Sequence, residues 1–177
     1  DQHLVRMQKL SEWREKGCAY PLAELPTHFA GSLHANYDDQ STLPKDEVHL
    51  AGRIMTRRVM GKASFTHIQD GTGRIQIYIR EEMISEADYA DFKHWDLGDI
   101  IAVKGTLFIT KRGELTIEAQ SVSLLSKCLY ALPDKFHGLV DHEIKYRQRY
   151  LDILVNEESR KVFQLRASLI AYMRQFF

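Results

Sequence analysis

Between Arg74 and Ile79 the chain alternates strictly: Ile75, Ile77 and Ile79 on one side, Arg74, Gln76 and Tyr78 on the other. A period of two is the mark of an extended strand with one face buried. Just upstream, Asp70-Gly71-Thr72-Gly73 is a glycine-bearing turn, so the preceding segment folds back against that strand. In Ala63–Gln69, Ser64, Thr66 and Ile68 share one face, and Phe65 and His67 share the other. With Ile68 in the core, Phe65 points outward, on the same face as Gln76 and Tyr78.

The rest of the chain can be placed around this hairpin. A long first strand is expected over Glu47–Met60, with Gly52 marking a bend or bulge. Then come strands over Ala63–Gln69 and Arg74–Arg80 and a helix over Ser85–Trp95 capped by Ser85. A fourth strand spans Asp99–Thr110, Lys111-Arg112-Gly113 makes a tight basic turn, and a fifth strand spans Glu114–Leu125. Its residues Leu115, Ile117 and Ala119 oppose Glu114, Thr116 and Glu118. Three strands, a helix and two strands is the order of an OB-fold, a five-stranded Greek-key barrel that binds oligonucleotides or oligosaccharides on its β2–β3 face. We expect its strands to pair antiparallel throughout.

Flanking elements are helical. Residues 3–16 form an amphipathic helix with a stripe of Leu4, Met7, Leu10 and Trp13, decorated by Arg6, Lys9, Arg14 and Lys16. It packs on the domain, and its basic side is a second candidate contact for RNA phosphate. Three of the four prolines lie in 18–46, a connector with one short helix over Thr27–Ala35. Leu132–Gly138 reads as a linker, followed by helices over Asp141–Ile153 and Glu157–Phe177. The last carries Val162, Leu165, Leu169, Met173 and Phe176 at spacings of three and four. The expected organisation is 1–46 helix and connector, 47–130 barrel, and 131–177 linker and helices. A chain ending inside an apolar helical pattern, and starting without Met, is expected to be part of a longer protein.

Lys+Arg and Asp+Glu both total 24, so net charge gives no nucleic-acid signal and the distribution must carry it. Arg53, Arg57, Arg58 and Lys62 form a run without acids. Glu81, Glu82, Glu86, Asp88, Asp91, Asp96 and Asp99 form an acidic stretch against Arg80 and Lys93, expected to be a solvated helix face. The two cysteines, Cys18 and Cys128, show no metal spacing and are expected to be reduced thiols. No apolar run reaches membrane-span length and no signal peptide is visible, so a cytoplasmic location without membrane contact is expected.

No P-loop, GxGxxG-helix, HExxH or nucleophile elbow is present. The histidines, His67 among them, do not cluster and are expected to be structural or solvent-facing. No catalytic residue and no metal ligand is assigned. What remains is the outer barrel face: Phe65 as a stacking aromatic, with Gln76 and Glu114 as polar neighbours and the Arg53–Lys62 charge beside them. The opposing expectation for Phe65 is an edge aromatic covered by the N-terminal helix.

The run AGRIMTRRVMGKASFTHIQDGTGRIQIYI (51–79), with WDLGDI (95–100), GELTI (113–117), LPDKFHGL (132–139) and YRQRYLDIL (146–154), resembles the anticodon-binding region of class II lysyl-tRNA synthetases. The likeness covers the chain from about Ser11 onward. Aspartyl and asparaginyl enzymes share the barrel and a segment like RYLDL.

The resemblance implies a parent homodimer that activates lysine with ATP and magnesium and transfers it to a tRNA with a U-rich anticodon. The catalytic residues and cofactor sites belong to a class II domain beyond Phe177, so this chain alone is expected to hold no cofactor and to be inactive. It also implies that Phe65 stacks on an anticodon base, that Gln76 and Glu114 read it, and that Arg57, Arg58 and Lys62 meet the tRNA backbone. Two other readings stay open: a sequence-tolerant single-strand-binding OB module, and a protein-interaction OB domain.

Overall fold

The computed structural model describes the chain except residues 18, 23–24, 38–42, 45 and 134–140. Cys18, His137 and most of the expected linker therefore lie outside the described residues. The chain divides into two compact units, 1–131 and 132–177.

In the first unit, helix α1 (Gln2–Glu15) and helix α2 (Ala30–Asn36) precede strands β1 (Val48–Met60), β2 (Ala63–Gln69) and β3 (Arg74–Arg80). A one-turn helix α3 (Glu81–Ile84), which the sequence reading missed, leads into α4 (Glu86–His94), β4 (Ile100–Ile109) and β5 (Leu115–Ser126). Ser85 caps α4 by accepting the Asp88 N–H, as expected.

The strands close in the order β1-β2-β3-β5-β4. Four of the pairings are antiparallel, but β3 and β5 run parallel, Gln76 opposite Thr116 and Tyr78 opposite Glu118. This corrects the expectation of an all-antiparallel sheet. The reason is one of parity. Directions that alternate around a ring of five strands must repeat once.

The alternation at 74–79 holds: Ile75, Ile77 and Ile79 are buried and Gln76 and Tyr78 half-buried. With Leu50, Ile54, Ile68, Ile101, Val103 and Ile117 they fill the barrel, each large side chain contributing roughly 1.5–3 kcal/mol on burial. Tyr89 and Phe92 of α4, with Trp95, join the same core. The Tyr89 hydroxyl is satisfied by the Ser64 hydroxyl at 2.8 Å and the Gly61 carbonyl at 3.0 Å.

β1 serves two partners. Val48–Arg53 pairs with β4 and Arg53–Met60 pairs with β2. The expected irregularity at Gly52 is not a bulge. A side chain there would come within 3.0 Å of the Gln69 carbonyl, so Gly52 permits a close strand approach. The bulge lies three residues on. Ile54 opposes Ile68 and Thr56 opposes His67, leaving Met55 as the extra residue.

Helix α1 turns a different side inward from the expected one. Arg6 and Leu10 are buried, while Leu4 and Met7 are exposed. The cause is polar. Arg6 Nη1 donates to the carbonyls of Leu97 at 3.1 Å and Cys128 at 2.8 Å, acceptors that the strand ends leave open. Lys9 bonds Asp96 and Lys16 bonds Asp91, both at 2.8 Å. Arg6 and Lys9 of the helix, and Lys16 just after it, therefore bond to other parts of the domain.

The acidic stretch is likewise only partly a solvated face. Asp99 is fully buried and accepts from Lys127 Nζ at 2.7 Å and the Cys128 N–H at 2.8 Å, and Lys127 also bonds Asp96. Cys128 is a free thiol.

In the second unit the expected single helix over 141–153 is two, α5 (His142–Arg147) and α6 (Arg149–Val155), broken at Gln148 with φ −117° and ψ 56°. Asn156 caps α7 (Glu157–Phe176). Arg160 reaches back to the carbonyls of Ile153 and Leu154. The stripe of Val162, Leu165, Leu169, Met173 and Phe176 is exposed along its length. Among the described residues, no helix is long and apolar enough to cross a membrane.

Candidate nucleic-acid interface

Cross-strand register decides what the outer face displays. Directly opposed residues share a face. Phe65 opposes Arg58 on β1 and Tyr78 on β3, and His67 opposes Thr56 and Gln76. Gln76 in turn opposes Thr116, which opposes Phe108 on β4. The face therefore carries Thr56 and Arg58, then Phe65 and His67, then Gln76 and Tyr78, then Thr116, then Phe108.

Phe65 lies against Tyr78, with ring centroids 4.7 Å apart and planes 25° apart, and Tyr78 meets Phe108 edge-on at 6.1 Å. Phe65 is half-buried. The N-terminal helix does not account for this. Its side chains bond residues 91–97 and 128–130, away from β2. Tyr78 supports one side of the ring.

Beside this aromatic row is a polar chain. Glu114 lies between the 111–113 turn and β5, with Gly113 at φ 81° setting the turn. Its Oε2 accepts from Gln76 Nε2 at 2.8 Å and its Oε1 faces His67 Nε2 at 2.8 Å. The Gln76 carbonyl oxygen accepts from the Thr116 hydroxyl at 2.9 Å. A carboxylate only accepts, so the Gln76 atom facing it is the NH2 group and the amide orientation is fixed. That NH2 keeps one hydrogen unused by Glu114, and each carboxylate oxygen keeps a lone pair. The result is an adjacent donor and acceptor at the surface. An open hollow of about 390 Å³, lined in part by His34, Tyr37, Ile109 and Arg112, adjoins Glu114.

The three basic candidates separate. Arg57 opposes Thr66, a core-facing residue, and its Nη1 donates to the carbonyls of Phe92 at 3.2 Å, Lys93 at 3.0 Å and Trp95. It holds the C-terminal end of α4, where a cation is favoured. Arg53 is similarly tied, to the Gly98 carbonyl at 2.7 Å. Arg58 is exposed beside Phe65 and its side chain has no ion pair or hydrogen bond among the described residues. Lys62, in the β1–β2 turn, is 91% exposed with a loose 3.6 Å approach to Glu81.

Phe65, Gln76 and Glu114 are thus brought to one face, with Arg58 and Lys62 at its edge and Arg57 turned away. Sequence reasoning missed Thr56, His67, Thr116 and Phe108. His67 and Thr116 carried a signal, lying two residues from Phe65 and Glu114 on the same strand faces. Thr56 carried none, because its face depends on the bulge.

Comparison with known proteins identifies the same fold. Residues 48–125, spanning all five strands, match the family of OB-fold nucleic acid binding domains of the tRNA anticodon type. The whole chain is similar to lysine–tRNA ligases. It is 53% identical to that of Ralstonia nicotianae, over 96% of this chain and 34% of that protein. It is 50% identical to that of Methylobacillus flagellatus, over 99% of this chain and 36% of that protein. It is 52% identical to that of Haemophilus influenzae, over 98% and 36% respectively. The chain spans about a third of the length of these relatives. Residues 48–125 belong to the tRNA anticodon-binding OB-fold family, within a chain that corresponds to the N-terminal region of the lysine–tRNA ligases.

Proposed function

We infer that the barrel reads a uracil at the centre of a tRNA anticodon. The observation that carries this is the hydrogen bond between Gln76 Nε2 and Glu114 Oε2, 2.8 Å, beside the Phe65 ring. Uracil presents an N3–H donor between two carbonyl acceptors. Glu114 accepts from N3–H while the free Gln76 N–H donates to a carbonyl. Cytosine carries a lone pair at N3 and would face the carboxylate with it. Phe65 offers its flat face to the unstacked base, as is usual in single-stranded RNA recognition. Arg58 and Lys62 hold flanking phosphates and set register.

The relatives, lysine–tRNA ligases, supply the wider setting. In the full-length protein this module would select a lysine-accepting tRNA with a U-rich anticodon for a class II, homodimeric ligase using ATP and magnesium. The chemistry would reside outside these 177 residues, so the chain by itself would give no lysine-dependent pyrophosphate exchange. A cytoplasmic location fits that role.

The test is binding of two RNA stem-loops, with uracil or cytosine at the central anticodon position, to wild type and to Phe65→Ala, Gln76→Ala and Glu114→Ala. Weaker binding by the first variant and poorer base discrimination by the other two are expected. A second reading, sequence-tolerant single-strand binding, draws on the Phe65–Tyr78–Phe108 row. It requires equal wild-type affinity for both stem-loops, a result that would sink the uracil reading.

A further inference from the structure

The carboxylate of Glu114 has a second holder that the uracil reading does not use. His67 sits on the same face of β2 as Phe65 and directly opposite Gln76. Its ring spans the gap between β1 and the β4–β5 turn. Nδ1 lies 2.7 Å from the Thr56 hydroxyl and Nε2 lies 2.8 Å from Glu114 Oε1. The Thr56 oxygen also accepts the backbone N–H of His67 at 3.1 Å. A carboxylate only accepts, so Nε2 is the N–H that faces Glu114, and in the neutral ring Nδ1 accepts the Thr56 hydroxyl proton. The ring is held at both ends.

Glu114 needs such a holder. It belongs to no strand and its side chain is 45% exposed. An exposed glutamate in that place samples several rotamers, and ordering it costs conformational entropy. Gln76 fixes one carboxylate oxygen, and a single hydrogen bond leaves the group free to pivot about it. A second donor on the other oxygen removes the pivot. The Thr56–His67–Glu114–Gln76–Thr116 chain then holds the carboxylate before any ligand arrives, as preorganised recognition requires.

We propose that His67 is a specificity-determining positioning residue, which fixes the Glu114 carboxylate where it meets the N3 edge of a pyrimidine base and so sets the preference for uracil over cytosine. The inference rests on the uracil reading above. His67 does not touch the base in this role. It acts through Glu114, and Thr56 acts through His67. Without His67 the carboxylate swings aside. Uracil then loses part of its acceptor, and cytosine loses part of the repulsion against its N3 lone pair. The two effects add in the ratio of affinities, whereas general damage to the barrel would weaken both bases alike.

The experiment measures dissociation constants of the same two stem-loops for the 177-residue chain carrying His67→Leu, His67→Gln, Thr56→Val or Glu114→Ala, with folding checked by circular dichroism. His67→Leu keeps the bulk and removes the donor. It is expected to lower the uracil-to-cytosine preference about tenfold, the scale of one lost charge-assisted hydrogen bond. His67→Gln places an amide N–H near the original Nε2 and is expected to recover most of the preference. Thr56→Val is expected to give a smaller loss in the same direction.

A His67→Leu protein that weakens both stem-loops equally, or a His67→Gln protein no better than His67→Leu, overturns the proposal. If wild type itself shows no uracil preference, the underlying reading fails. If wild type shows the preference and Glu114→Ala abolishes it while His67→Leu leaves it intact, the failure is that of this proposal alone.

Discussion

The side chains of Gln76 and Glu114 meet at 2.8 Å although 38 residues separate them in sequence. The parallel β3–β5 pairing, the odd closure of a five-stranded ring, brings them together. Replacing Glu114 by glutamine tests what the carboxylate contributes. An amide can turn its NH2 toward cytosine N3, so Glu114→Gln is expected to reduce the uracil-over-cytosine ratio about tenfold, or ~1.4 kcal/mol. Its affinity for the cytosine stem-loop should rise. Fluorescence titration with the two stem-loops reads both quantities.

Phe65→Ala removes the stacking surface and leaves the polar pair in place. The expected loss is about 1–3 kcal/mol of binding free energy, similar for either base, since every base has a flat face to stack. A loss confined to the uracil stem-loop would show that Phe65 contributes to discrimination instead.

Arg57 and Arg58 are expected to separate under alanine substitution. Arg57→Ala strips donors from three carbonyls at the end of α4 and should cost about 1–3 kcal/mol of stability in urea unfolding. It should leave the salt dependence of RNA binding unchanged. Arg58→Ala should leave stability within about 0.5 kcal/mol and lower the slope of log affinity against log salt by about 1. The opposite pattern would mean that the Arg57 guanidinium leaves α4 when RNA binds.

Acid stability should follow Asp96. Burial alone pushes this carboxyl up, but hydrogen bonds and charge from Lys127 and Lys9 outweigh it and hold it below the ordinary value of 3.8. A carboxyl depressed in the folded state stabilises the fold above its unfolded value, and that contribution disappears as pH falls through the lower folded value. The stability gap between wild type and Asp96→Asn should therefore be constant well above pH 3.8 and shrink below it, measured by urea unfolding across a pH series. Asp70 is also held below 3.8. Burial raises it, and the N–H groups of Ala30, Thr72 and Gly73 with the Thr72 hydroxyl more than compensate. Asp70→Asn should loosen the bond that ties α2 to the β2–β3 turn.

The sequence by itself determined the strands, the outward placement of Phe65 and Gln76 and the order of elements, because a strand that buries one face must alternate and the alternation is written in the residues. It also contained the parallel closure, since strict alternation of direction cannot run around five strands, though the all-antiparallel expectation overlooked this. What the tertiary structure alone decided is the bulge at Met55. Carried forward from Ile54 without interruption, the alternation would turn Arg57 outward and Arg58 and Thr56 inward. One extra residue reverses all three. It sends Arg57 to the carbonyls of α4, Arg58 to the side of Phe65 and Thr56 to the ring of His67. Nothing local marks that position. The bulge arises because β1 must leave β4 and join β2 as the sheet curls shut, and closure of a ring is a property of all the strands together. The same holds for α1, where carbonyls left open at residues 97 and 128 draw Arg6 inward and leave Leu4 and Met7 exposed.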